Sequence, residues 1–178
     1  IVKEFPTASA HAGHMKILLN ELAMKKDFKP DVIYIDYLNL AVSSRLKAGS
    51  QANSYTIVKS IAEELRGLAV EFDLPIFSAT QTTRTGFGST DIGLEDTSES
   101  FGLPATADFM FALISTEELE KKGQFLVKQL KNRYNDPTIN RKFMLGVDRS
   151  KMRVYDVEQS AQDDMAVSYT HLTLPTTD

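Results

Sequence analysis

Two apolar segments of the chain end in polar side chains that could bind a nucleotide. The run VIYI ends at Asp36, and the run LPIFSAT ends at Gln81. A carboxylate at the end of a strand can hold a nucleotide-bound Mg²⁺, because Mg²⁺ prefers hard oxygen ligands and keeps part of its hydration shell. An amide at the end of the next strand can hydrogen-bond a γ-phosphate or an attacking water. The alternative for Asp36 is an ordinary strand cap or turn, so the carboxylate alone is a weak signal.

Basic residues in the segment KQLKNRYN offer a second set of phosphate contacts. Lys131 and Arg133 are two apart on a predicted strand, so both should point to one face. A guanidinium carries a forked donor set that matches phosphate oxygens. Residues 128–153 contain eight Lys or Arg and two Asp, a net charge of +6, while the rest of the chain carries 12 minus 22, or −10. This basic third predicts a phosphate-facing surface, with ordinary solvated strand ends as the alternative.

Helices and strands alternate along the part of the chain that must position these residues. Apolar spacing predicts one helix that ends near Lys25 and Lys26 and a second over residues 57–72, with Glu63 and Glu64 outside its apolar stripe. Strands are predicted at residues 31–36 and 74–81, buried on both faces. Two polar segments, 41–56 and 82–93, are predicted loops.

The C-terminal half predicts more strands and two short helices. Asp96 with Glu99 and Ser115 with Glu118 form candidate caps for the helices. A third strand is predicted in ADFMFALIS, and QFLVKQLKN, RKFMLGVD and KMRVYDV follow with short turns. The predicted fold is α/β, a mostly parallel sheet with helices on both faces and an antiparallel C-terminal extension. Ligands of such sheets gather at the carboxyl ends of the strands, where Asp36, Gln81 and both loops should lie.

Composition excludes several classes of site. The chain has 178 residues, 42% of them hydrophobic and 25% charged, which is enough for one domain with a core. The absence of cysteine excludes disulfides and thiolate metal sites. No apolar run approaches the length of a membrane span, and no signal peptide is predicted.

Four segments of the chain occur in the order known from one protein family. They are DVIYIDYLNL, LRGLAVEFDLPIFSATQTTRT, LEDTSESFGLPATADFMFAL and KQLKNRYNDP. Together they resemble the DnaB-type replicative helicases, most nearly those of T-even bacteriophages. The resemblance covers residues 1–160. It implies a RecA-like P-loop ATPase that forms a homo-hexameric ring around single-stranded DNA and moves 5′ to 3′, with ATP between subunits. It also implies Mg²⁺, a primase, a helicase loader and the cytoplasm of an infected bacterial host.

The resemblance assigns roles to individual residues. Asp36 would bind Mg²⁺ through water and Gln81 would sense the γ-phosphate. Lys131 and Arg133 would reach a neighbouring subunit's ATP, with Arg133 as the arginine finger; pairing with a surface acid such as Asp136 is the alternative. The loops would line the central DNA channel, and their candidate contacts are Arg45, Lys47, Arg84 and the backbone of Gly86.

The chain also departs from the family pattern. It contains no G-x-x-x-x-G-K-[ST] motif. We therefore expect it to be the back half of a motor domain, truncated before the Walker A strand and inactive on its own, with a tail over residues 161–178. From about residue 166 the tail resembles translated sequencing-adapter read-through. The alternatives are a RecA-like DNA-binding scaffold, a recombination or clock-type ATPase without helicase activity, or an unrelated doubly wound domain.

Overall fold

A computed structural model describes residues 1–46, 52–82, 93–94, 102–136 and 138–158. The chain divides into two compact units. The first unit contains α1 (Ala12–Lys26), β1 (Ile33–Ile35), α2 (Ser54–Phe72), β2 (Ile76–Ser78) and α3 (Gly102–Thr106). The second contains β3 (Phe109–Ile114), α4 (Glu117–Lys121), β4 (Gln124–Asn132), β5 (Lys142–Asp148) and β6 (Arg153–Asp156). Short 3₁₀ turns cover Leu38–Leu40 and Arg149–Lys151.

The first unit is a parallel strand pair packed with helices. β1 pairs parallel to β2, with Ile33 opposite Ile76. The helix α2 begins after Asn53, whose side chain accepts a hydrogen bond from the Thr56 amide at 2.9 Å. The predicted loop 41–56 is therefore too long, because residues 54–56 form the first turn of α2. The core of this unit is apolar and comes mainly from α2, with Leu19, Leu38, Val58, Ile61, Leu65, Leu68 and Leu103 buried.

One face of the β1–β2 pair is exposed. Tyr34 is 75% exposed and Phe77 is 48% exposed, and their rings stack with centroids 5.4 Å apart. The prediction that both strands are buried on both faces is therefore wrong for the described residues. The continuous apolar run gave no sign of this difference, because tyrosine and phenylalanine occur at buried and at exposed positions of strands.

The second unit is a four-stranded antiparallel sheet in the order β3–β4–β5–β6. The predicted antiparallel extension is present, and it also includes β3, which helix–strand alternation had assigned to the parallel part. Ala112, Ile114, Leu126 and Met144 form its core, and Leu119 of α4 packs against them. The predicted cap Ser115 is wrong.

Thr116 is the N-cap of α4. Its side chain accepts a hydrogen bond from the Leu119 amide at 3.3 Å, while Ser115 Oγ donates to the Glu120 carboxylate. Gly123, with φ of +62°, follows the helix. The other predicted cap, Asp96 with Glu99, lies outside the described residues. No helix within the described ranges combines the length and apolar character that crossing a bilayer requires.

Candidate functional site

Asp36 and Gln81 follow neighbouring strands of the first unit. β1 and β2 run parallel with Ile35 opposite Ser78, so Asp36 comes directly after β1 and Gln81 comes just beyond β2. Both residues are exposed. Since the carboxyl ends of parallel strands meet at one edge of a sheet, these two residues share that edge. The structure thus brings together the two residues that the strand ends predicted.

Hydrogen bonds join the segments that follow the two strands. The Gln81 side-chain amide donates to the Tyr37 hydroxyl at 3.3 Å, so the residue beside Asp36 contacts Gln81 directly. Two further links are Leu38 N to Ala79 O at 3.1 Å and Thr80 Oγ1 to Asn39 Oδ1 at 2.9 Å. Tyr37 was not among the predicted site residues. Its position directly after the acid, beyond a strand adjacent to the one that Gln81 follows, is the signal that could have identified it.

The Asp36 carboxylate has the chemistry of a magnesium ligand. It makes no hydrogen bond or ion pair with another residue in the described part of the chain. The Asp36–Tyr37 peptide bond is cis. Magnesium in nucleotide sites commonly takes one or two carboxylates, several waters and phosphate oxygens. A single exposed carboxylate at a strand end has the donor chemistry for this arrangement.

The candidate DNA-contacting residues are only partly within the described chain. Arg45 is exposed, and its guanidinium Nη1 lies 2.9 Å from Glu63 Oε2. Lys47, Arg84 and Gly86 lie outside the described residues. The segment that leads to Arg45 is attached to the N-terminal residues, because the Val42 amide donates to the Ala10 carbonyl at 2.8 Å.

Glu64 is a buried carboxylate that sequence analysis placed on the outer side of α2. Only 9% of Glu64 is exposed, so that prediction is wrong. Its position three residues after Ile61 and four before Leu68 puts it on the buried face, and this spacing was the missed signal. The carboxylate accepts hydrogen bonds from Ser43 and Ser44, which begin the predicted DNA-contacting loop.

The hydrogen bonds to Glu64 outweigh the cost of its burial. Burial is the largest single influence and raises the pKa of the carboxyl group, but the donors Ser43 Oγ, Ser44 N, Ser44 Oγ and Arg45 N together lower it. The net result is a pKa below the ordinary value of 4.5. Glu64 is therefore ionised at neutral pH, and its charge strengthens these hydrogen bonds.

Lys131 and Arg133 lie at the end of β4 in the second unit. Lys131 is within the strand, but β4 ends at Asn132, so Arg133 lies in the bend beyond it. The prediction that both side chains share one strand face therefore does not hold for Arg133. The Asn132 side chain organises this bend by accepting hydrogen bonds from the amides of Tyr134 and Asn135, at 2.9 and 3.1 Å.

The Arg133 side chain forms an ion pair with Asp108. Arg133 Nη1 lies 2.7 Å from Asp108 Oδ1, and the Arg133 amide donates to the Asp108 carbonyl at 3.0 Å. The alternative partner Asp136 accepts hydrogen bonds from the amide and hydroxyl of Thr138. Both hydrogen bonds lower the pKa of Asp136, and the one from the Thr138 hydroxyl has the larger effect. The arginine side chain remains 45% exposed.

Part of the basic C-terminal third lines a cavity of about 650 Å³ within the second unit. Arg149, Lys151 and Arg153 contribute to its wall, together with Glu120 and Asp148. Arg149 Nη2 lies 3.5 Å from Glu120 Oε1, and Lys151 Nζ lies 3.4 Å from Asp148 Oδ2. Acids thus neutralise two of these cations locally, which weakens the case for a phosphate-binding surface here.

Comparison with known proteins identifies the relationship. No family model matches the chain. The chain is 47% identical over 161 residues to the DnaB-like replicative helicase of Enterobacteria phage T4. The predicted resemblance to DnaB-type replicative helicases is confirmed. The matched region covers 90% of this chain and 34% of the phage T4 protein, so the chain spans about a third of the length of this DnaB-type relative.

Solved structures show the same fold. One solved ATPase domain matches with a TM-score of 0.69 at 20% identity, over 83% of this chain and 52% of that one. A DnaB-like replicative helicase, whose structure was described with its interactions with primase, matches with a TM-score of 0.68 at 20% identity, over 83% and 36% of the two chains. The predicted fold class, that of RecA-like helicase ATPase domains, is confirmed.

Proposed function

We propose that this chain supplies the C-terminal part of the motor domain of a hexameric replicative DNA helicase. The protein would couple ATP hydrolysis to 5′–3′ translocation on single-stranded DNA and to duplex unwinding in the cytoplasm of an infected bacterium. The observation that carries the proposal is the shared edge of β1 and β2, where Asp36 and Gln81 lie together. The 47% identity to the phage T4 helicase supports it.

At the nucleotide, Asp36 would hold Mg²⁺ and Gln81 would contact the γ-phosphate. The metal would neutralise the phosphate charge that develops during hydrolysis. The Asp36 carboxylate, which has no hydrogen-bond or ion-pair partner among the described residues, supports its part. The bond from Gln81 to Tyr37 supports a defined position for the glutamine amide, since a side chain held by a neighbour loses less entropy on binding phosphate.

Lys131 and Arg133 would act on the ATP of a neighbouring subunit. An arginine finger must extend from the surface of its own subunit, and the half-exposed side chain of Arg133 is suited to this. The ion pair with Asp108 would be exchanged for phosphate at little cost, because exposed pairs contribute about 0–1 kcal/mol. Lys131 lies two residues earlier, near the end of β4, and would add a second positive charge.

Single-stranded DNA would contact the two loops, through Arg45 and Lys47 in one and Arg84 and the backbone of Gly86 in the other. Arg45 is exposed and lies directly beyond a segment that buried contacts hold in place, which supports its part. Primase and a helicase loader would be the protein partners. A structural neighbour described with its primase interactions supports the first of these.

The proposal is tested with the complete protein and labelled forked DNA. We expect ATP hydrolysis that single-stranded DNA stimulates, and unwinding of forks that carry a 5′ tail but not of those that carry only a 3′ tail. Asp36→Ala should abolish both activities. DNA binding without hydrolysis would favour the scaffold alternative, and hydrolysis without unwinding would favour a recombination ATPase.

A further inference from the structure

The neighbouring acids Glu63 and Glu64 hold different parts of the segment that begins the DNA-contacting loop. Glu63 contacts the exposed end of Arg45, with side-chain exposures of 39% and 55% for the two partners, and its other oxygen lies 3.9 Å from Lys59 Nζ. Glu64 is buried and contacts the segment's backbone and its serine hydroxyls. Two adjacent residues of the same type on one helix thus form one contact that is easily exchanged and one that is not.

The contacts to Glu64 come from consecutive residues. One carboxylate oxygen accepts from Ser43 Oγ and, at 3.4 Å, from the Arg45 amide. The other oxygen accepts from the Ser44 amide at 3.0 Å and from Ser44 Oγ at 2.8 Å. The Arg45 amide also donates to Ser43 Oγ at 3.1 Å. A single buried charge therefore fixes the backbone up to the residue that carries the guanidinium.

The same path leads back to the nucleotide edge. The turn Leu38–Leu40 follows Asp36, and its residue Leu38 is 5% exposed and packs in the core beside α2. The Ala8 amide then donates to the Leu40 carbonyl, the Val42 amide donates to the Ala10 carbonyl, and Glu64 holds residues 43–45. Contacts thus hold the backbone at several points between Leu38 and Arg45, and Glu64 supplies the last of them.

We propose that Glu64 is a positioning residue for single-stranded DNA, whose carboxylate fixes the Ser43–Arg45 backbone so that Arg45 meets a phosphate. This rests on the proposed function. Glu63 occupies the Arg45 guanidinium in the absence of DNA and is displaced by the phosphate. Preorganisation of this kind raises affinity because the loop loses less freedom on binding. Glu64 acts through Arg45 and does not contact the DNA.

Matched substitutions of the two acids test the inference, with anisotropy of a fluorescent oligothymidine as the measurement on the complete protein. Glu63→Gln and Glu64→Gln each remove one negative charge from α2, so any long-range electrostatic effect on DNA is the same for both. We expect Glu64→Gln to weaken binding roughly tenfold, because it replaces charge-assisted hydrogen bonds to the loop backbone. Glu63→Gln should strengthen binding about twofold, because it removes a competitor for Arg45.

A double-mutant cycle with Arg45→Ala separates positioning from general damage. Arg45→Ala should weaken binding and lower the salt slope by about 0.7, the value for one phosphate contact on a single strand. In that background Glu64→Gln should have little further effect, whereas a general structural defect would remain additive. Ser44→Ala, which removes one donor and keeps the carboxylate, should show a smaller loss of the same kind.

Two results would overturn the inference in distinguishable ways. If Arg45→Ala leaves DNA binding unchanged, the DNA contact itself is wrong and the inference falls with it. If Arg45→Ala weakens binding but Glu64→Gln does not, or if Glu63→Gln and Glu64→Gln weaken it equally, only the positioning role is wrong. Hydrogen exchange gives a readout without DNA: Glu64→Gln should speed exchange of the Ser44 and Arg45 amides and leave the core of α2 protected.

Discussion

The two candidate halves of the nucleotide site are built differently. At the edge of β1 and β2, hydrogen bonds between residues 37–39 and 79–81 join the segments that carry Asp36 and Gln81. At the end of β4, Arg133 makes a backbone hydrogen bond and an exposed ion pair with Asp108. The first region is held by hydrogen bonds between the segments that follow two strands, whereas the second includes an ion pair that is open to solvent.

This difference matches what each region would do. Groups that bind a nucleotide within their own subunit gain from a fixed geometry, because preorganised donors need no rearrangement during reaction. A group that reaches a neighbouring subunit must leave its resting contact, and an exposed ion pair costs little to break. We infer that the chain keeps Asp36 and Gln81 in place and holds Arg133 in an exchangeable position.

The largest expected effect concerns Arg133. Arg133→Ala in the complete protein should lower DNA-stimulated ATP hydrolysis by roughly 10³–10⁵-fold, the range for arginine fingers, while ATP binding and ring assembly persist. Arg133→Lys should restore little, because an ammonium lacks the forked donor geometry. Phosphate release at steady state measures the rate.

Asp108 provides the matched control for Arg133. Asp108→Asn breaks the resting ion pair and keeps the guanidinium, so hydrolysis should change by less than about fivefold. Mixed rings of Asp36→Ala and Arg133→Ala subunits should regain hydrolysis at interfaces that combine one intact half from each. Wild-type hydrolysis by Arg133→Ala would show that the finger assignment is wrong, and an equal loss in Asp108→Asn would show that the ion pair matters and the finger does not.

The sequence predicted most elements because their signals are local. The helix over Ala12–Lys26, the strand Gln124–Asn132 and the antiparallel hairpins follow from apolar periodicity and short turns. The exposure of Tyr34 could not be predicted, because one apolar strand looks the same whether one face or both are covered. The antiparallel pairing of β3 depends on a distant strand, which no local pattern specifies.

The candidate site was predictable where a residue's place in its strand decides its location. Asp36 and Gln81 follow from the ends of two parallel strands. The acid that binds Arg133 was not predictable, because Asp108 lies far away in sequence and a surface arginine can pair with many different acids. Glu64 was missed because charged residues are usually exposed, and its partners Ser43 and Ser44 lie across a loop.

The second effect, smaller than that of Arg133, concerns Gln81. Gln81→Ala should lower hydrolysis by about 10²-fold, as expected for the loss of one preorganised donor to a developing charge. Thr80→Val is the control, because it removes the neighbouring bond to Asn39 and keeps the glutamine. Single-turnover hydrolysis distinguishes the two. An equal loss of hydrolysis in both variants would mean that the reaction depends on the hydrogen bonds at the strand edge more than on Gln81.

Tyr37→Phe tests whether the rigid edge matters beyond its two named residues. The substitution removes only the hydroxyl that accepts the Gln81 amide at 3.3 Å. Because such a bond contributes about 0.5–1.5 kcal/mol, hydrolysis should fall roughly two- to tenfold. In the Gln81→Ala background the change should have no further effect on the rate of hydrolysis. If Tyr37→Phe lowers the rate of hydrolysis as much in the Gln81→Ala background as in the wild type, Tyr37 has a role of its own.

The smallest effect concerns acid, and it compares one carboxylate from each unit. Glu64 is buried, and Asp148, whose pKa is lowered chiefly by the Ser150 hydroxyl, is partly exposed. Each carboxyl has a folded-state pKa below its unfolded value, so its stabilisation is complete above the unfolded pKa and is lost as pH falls through the folded pKa.

Below the ordinary value of 4.5, hydrogen-exchange protection, corrected for intrinsic rates, should therefore fall at Ser44 and Arg45. The fall at Ser150 and Lys151 should be slight, because water reaches the partly exposed Asp148 carboxyl group and replaces its lost contacts. Glu64→Gln should start with low protection at Ser44 and show no such fall. If hydrogen-exchange protection declined in parallel at both sites of the wild-type protein, the two regions would be equally sensitive to acid.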